Sequence, residues 1–176
     1  MHPRLAEVSA FLDACRADVY AAIAGASDPR MEQRPADGGW SAAQVVQHLA
    51  LAESKTSQYL VACLDKAIAA GLPREQDGTS VLATVDPRVV SSERLTAPEI
   101  VTPAPAVAAA TAVTALHASH DAIRATLHTA DGWALTEVPT RHPLLGRMNM
   151  YQSLVFIGYH DRRHVPQIQR ALATVG

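Results

Sequence analysis

The stretch Trp40-Ser41-Ala42-Ala43-Gln44-Val45-Val46-Gln47-His48-Leu49 marks the start of a helix. Ser41 suits an N-cap, because its hydroxyl can accept from the amide three residues on. Gln44 stands at that third position and can return the bond. Trp40 and Val45 occupy the two positions of a hydrophobic staple. Apolar or small residues then recur at steps of three and four: Val45, His48 or Leu49, Ala52, Thr56, Tyr59 or Leu60, Cys63 and Ala67. Gly71 and Pro73 stop the pattern. The expected helix covers about 41–70.

Three other segments carry the same period. Leu5, Val8, Leu12, Cys15, Val19 and Ala22 predict a helix over 3–24, with Pro3 in the first turn and Gly25 past the end. Val113, Leu116, His120, Ile123 and Leu127 predict one over 105–129. Leu154, Ile157, His160 or Asp161, His164, Ile168 and Leu172 predict one over 149–173, with Asn149 as its N-cap. Residues 71–102 hold no period and are broken by Pro73, Asp77-Gly78, Asp86-Pro87 and Pro98. A loop of that length more often belongs to a functional rim than to plain linkage. Residues 130–148 form a second loop. Four amphipathic helices and one long crossover between the second and third predict an all-α four-helix bundle, residues 1–176 being a single domain.

Composition agrees. Ala supplies 33 of 176 residues and aromatics only 5%, which favours helices over a pleated sheet. A net charge of −2 gives no basic excess of the kind that nucleic-acid binders show. Ile100 to Leu116, the longest uncharged run, is broken by Pro and Thr, so no membrane span is expected. Cys15 and Cys63 make no secreted disulfide framework and fall on core stripes. With no apolar signal core at the N-terminus, a soluble, cytoplasmic protein is expected.

His48, His160 and His164 all fall on faces turned toward the bundle axis. Residues i and i+4 on a helix lie nearly above one another, about 5–6 Å apart at Cβ. Two imidazoles at that spacing can share one ion, and a third from a facing helix can complete the set. The competing reading is three hydrogen-bonded core histidines. Burying three titratable rings with no ion costs desolvation, which favours the ion.

The Trp40–Leu49 stretch resembles the W-S-x-x-x-x-x-x-H-L signature of the DinB-like superfamily. His142-Pro143-Leu144-Leu145-Gly146 resembles its H-P-x-x-G motif, and Tyr159-His160-Asp161-Arg162-Arg163-His164-Val165-Pro166-Gln167-Ile168 its H-x-x-R-H-x-x-Q-I ending. The resemblance implies an up-down-down-up bundle. It makes His48, His160 and His164 ligands of a divalent metal such as zinc, nickel, iron or manganese. It further implies a small-molecule substrate, a homodimer, and either hydrolase activity or thiol S-transferase activity with a low-molecular-weight thiol cosubstrate. A non-catalytic metal-binding or stress-response module is the alternative. Three protein ligands leave a position open, where a water or a thiol could be activated.

Gln44, His142, Arg163 and Gln167 are candidate pocket or supporting residues, although capping explains Gln44 better. Glu53, about 140° round the helix from His48, is expected in solvent. His120, on the apolar stripe, is expected to be a satisfied core histidine outside the ligand set, and His117 and His128 sit on the same helix. Pro166, inside the last helix, cannot donate to the carbonyl of Arg162 and is expected to kink or break the helix there.

Overall fold

The structure is a computed structural model that describes residues 1–86, 97–143 and 145–174. Residues 87–96 of the expected crossover lie outside it. Among the described residues four helices are long: α1 (Pro3–Ile23), α3 (Ala42–Ala69), α4 (Ala109–Ala130) and α5 (Met150–Ala173). A single-turn helix, α2 (Asp28–Glu32), follows α1. None of these helices is long and apolar enough to cross a membrane.

The ends follow the local chemistry. Ser41 and Gln44 form the complete capping box of α3, and Asn149 and Gln152 form a second one that starts α5. Pro3 occupies the first turn of α1, and Gly25 takes φ +74° just beyond its end. The third long helix departs from expectation by starting at Ala109 rather than near Pro105. The carbonyls of Ala104 and Pro105 accept from Nε2 of Gln44 instead of from helical amides. The last helix runs through Pro166 without a break.

The segment 130–148 is not all loop. Strands β1 (Pro139–His142) and β2 (Gly146–Asn149) pair antiparallel, with Thr140 opposite Met148. Four-residue strands are too short for alternation to stand out, which is why the hairpin escapes a periodicity reading. Gly146 turns at φ +74°, and the amide of Arg141 donates to the Tyr59 hydroxyl at 2.8 Å, which ties the hairpin to α3.

The crossover is pinned to α1 at its start. Arg4, buried in α1, donates to the carbonyl of Thr79 at 2.8 Å, to Glu75 at 3.2 Å and to Asp77. Glu7 accepts from the hydroxyl of Ser80 and the amide of Val81. Arg74 lies 3.9 Å over the Trp133 ring.

Helix α3 packs chiefly on α4, and α1 on α5. The interior has two apolar halves. One gathers Leu12 of α1, Leu60 and Leu64 of α3, Ile123 and Leu127 of α4 and Leu154 of α5. The other gathers Val19, Val45, Leu49, Leu116 and Ile168 from the same four helices. Between them each long helix contributes polar side chains that are nonetheless buried: Arg16, Glu53, Ser119 with His120, and Asp161. These side chains form a polar layer across the middle of the core.

α1 and α5 meet at Gly158. A Cβ there would lie 2.5 Å from Cε1 of Phe11 and 3.0 Å from Sγ of Cys15. Overpacking of this kind costs roughly 1–3 kcal/mol, against about 1 kcal/mol gained in helix propensity. Gly158→Ala is therefore expected to lower the urea midpoint, and a raised midpoint would show that α1 and α5 can separate at no cost. The same packing pushes the Cys15 thiol up to about 12, so it stays protonated and inert.

Candidate metal centre

His48 lies in the second turn of α3, and His160 and His164 lie one turn apart on α5. Their ring centroids are 5.3 Å (His48–His160), 4.9 Å (His48–His164) and 4.7 Å (His160–His164) apart. One ligand nitrogen from each can be chosen so that all three lie within 4.8 Å of one another.

Two of the rings have their tautomers fixed. Nδ1 of His48 is 2.8 Å from the carbonyl of Val101, which can only accept, so Nδ1 carries the proton and Nε2 keeps its lone pair. Nδ1 of His164 donates to Oε1 of Gln167 at 2.7 Å, with the same result. Such outer partners orient metal-binding imidazoles. Trp40 packs on His48, with centroids 5.1 Å apart. Phe156 lies 6.1 Å from the His160 ring.

Burial holds His48 below its ordinary range, weakly opposed by the Val101 bond. Burial, with the charge of His48 next, brings His164 down to about 4. Burial, then His164 and His48, holds His160 well below the histidine range. All three are neutral at pH 7, the state that ligates.

The remaining candidates divide. Gln167 orients His164. Gln44 is committed to the α3 cap and to the carbonyls of Ala104 and Pro105. Arg163 lies near enough for its charge to lower both His160 and His164. His142 ends β1, 4.4 Å from the Phe156 ring, and its Nδ1 accepts from the amide of Leu145. The sequence matches the DinB superfamily over residues 12–168. The chain belongs to the DinB superfamily. No curated protein and no solved structure matches it.

The superfamily motifs leave the polar layer unmarked. Glu53 is not in solvent as expected: it is 1% exposed, because α3 packs on α4 and on α5, and Arg16 of α1 reaches to within 3.7 Å of its carboxylate. Its Oε2 accepts from the Ser119 hydroxyl at 2.7 Å and lies 3.4 Å from Nε2 of His120. Nδ1 of His120 is 2.9 Å from the Tyr20 hydroxyl, which is also 2.9 Å from Nδ1 of His117. One signal could have found the layer: charged residues, Arg16 and Asp161, at or beside apolar stripe positions.

Two expectations follow. Gln167→Ala leaves the His164 ring unheld, and losing an outer partner costs about 10–100-fold in metal affinity. Competition against a chelating dye checks this, and unchanged affinity would remove Gln167 from the site. The second concerns pH. Burial holds His48, His120 (to about 3), His142, His160 and His164 below their ordinary value. Unfolding restores that value, so the unfolded chain takes up protons that the folded one refuses. Their contribution is complete above about pH 6.5 and is lost as the pH falls. Glu53 and Asp161, raised chiefly by burial, act in the opposite sense, two groups against five. The metal-free protein should unfold at lower urea at pH 5 than at pH 7. An equal or higher midpoint at pH 5 would contradict this.

Proposed function

We propose that this protein is a metal-dependent enzyme of hydrolase or thiol S-transferase type acting on a small molecule. In this reading its long helices form an up-down-down-up four-helix bundle. The observation that carries it is the convergence of three neutral imidazoles with no fourth protein ligand grouped with them among the described residues. The donor set fits a zinc-like or similar divalent ion, zinc, nickel, iron and manganese all accepting imidazole. When bound, such an ion acidifies a water or a thiol in its open position.

The chain's own residues do the rest. Val101 and Gln167 hold the rings of His48 and His164 so that Nε2 presents a lone pair. Arg163 supplies positive charge beside the site, suited to an anionic group on the substrate. His142, with Nδ1 engaged by Leu145, carries its proton on Nε2 and can donate it to a leaving group. Trp40 and Phe156 give the site an apolar wall that limits water.

The test loads the chain with each metal in turn. One set of assays follows ester and amide hydrolysis, and the other follows coupling of a low-molecular-weight thiol to an electrophile. One activity is expected, abolished by chelation and absent from His164→Ala. A fully loaded protein inert in both assays would overturn the enzyme reading in favour of a non-catalytic metal-binding module.

A further inference from the structure

We propose that the polar layer holds a second divalent cation, bound by Glu53, His120 and Asp161. One atom from each can be chosen so that all three lie within 4.8 Å of one another. The three side chains are 1%, 3% and 0% exposed. Oε1 of Glu53, Nε2 of His120 and both carboxylate oxygens of Asp161 have no hydrogen-bond partner, and neither do the three guanidinium nitrogens of Arg16, whose Nε lies 3.7 Å from Oε1 of Glu53. Of these seven orphaned atoms the four outside Arg16 can each offer a lone pair, and the guanidinium stands too far from Glu53 to satisfy it, which points to a bound group.

The spacing favours a cation. Nε2 of His120 lies 3.4 Å from Oε2 of Glu53. That is long for a charge-assisted N–H···O bond, which spans about 2.7–2.9 Å. It matches the edge of a tetrahedron whose centre is about 2.0–2.2 Å from each ligand. The Tyr20 hydroxyl sits 2.9 Å from two Nδ1 atoms and has one proton, so it can donate to His117 while accepting from Nδ1 of His120. Nε2 of His120 then turns a lone pair toward the carboxylates. Ser119 orients Glu53 from behind.

Charge balance agrees. Two carboxylates neutralise a divalent ion, and Arg16, 3.7 Å from Oε1 of Glu53, also lies 3.7 Å from Asp13 on its outer side. The alternative is one proton shared by Glu53 and Asp161. It would satisfy one oxygen of each but leave the second Asp161 oxygen without a partner. The donor set is harder than three imidazoles, two of its three groups being carboxylates, so manganese or iron suits it better than the three-His site.

The test is a count of metal per chain in protein made in manganese- or zinc-replete medium and dialysed free of loose ions. Two equivalents are expected in the wild type. One should remain in His164→Ala, and one in Glu53→Gln and in His120→Gln. A wild type that saturates at one equivalent, lost in His164→Ala, overturns the proposal and leaves a shared proton in the layer. His164→Ala does not touch the layer, so its count decides even if the layer variants fail to fold. A single equivalent kept by His164→Ala and lost by Glu53→Gln would support this site while removing the three-His one.

Discussion

His164→Ala is expected to lose the tight metal equivalent held by the three-His site while keeping its helical content. Losing an outer partner alone costs about 10–100-fold in affinity, so losing a ligand should weaken binding by more than about a hundredfold. The fold should survive. Val45 and Leu49, on either side of His48 along α3, and Ile157 and Ile168, on either side of the α5 pair, are buried in the apolar core, so apolar contacts hold both helices without an ion. His160→Ala and His48→Ala should behave alike, because each removes one corner of a triangle less than 5.5 Å on a side. Calorimetric titration of the metal-free variants measures this. Wild-type affinity in any of the three would remove that residue from the ligand set.

The largest stability effect should come from Arg16→Met. Arg16 is 2% exposed, and it sits beside Glu53 in a layer that also holds Asp161. Removing one partner of a buried ionic set typically costs about 3–5 kcal/mol, because the remaining charge keeps its desolvation penalty. Urea unfolding of the metal-free protein at pH 7 should show a loss in that range. Adding Glu53→Gln and Asp161→Asn should recover much of it, since the uncompensated carboxylates then disappear. A loss below about 1 kcal/mol in Arg16→Met would mean that the guanidinium compensates neither carboxylate.

The sequence made the helices legible where side chains cap and pattern them locally. Ser41 with Gln44 announces α3 because both halves of the box lie within four residues. His48, His160 and His164 could be grouped because a spacing of four on one helix fixes a shared face, and His48 falls on the axis-facing stripe of a second helix. What failed depends on partners distant in sequence. Glu53 looks solvent-facing on an isolated helix, and only the packing of α3 against several neighbours makes that side interior. The start of α4 moved because Gln44, some sixty residues earlier, takes the carbonyls that would have opened it. The β1–β2 hairpin was hidden by strands too short to show a period.

The three-His triangle draws on the second and the last of the long helices, with the crossover, α4 and the hairpin lying between them along the chain. A ribosome emitting this polypeptide from its N-terminus releases His48 long before its two companions. Until α5 has emerged and docked on α1, the nascent chain presents a lone imidazole with weak hold on any ion. Metal uptake at the proposed centre would thus be a late event in the life of each molecule. A product cut short before His160 leaves that triangle unformed, so an ion retained at the proposed site would certify that synthesis had reached α5.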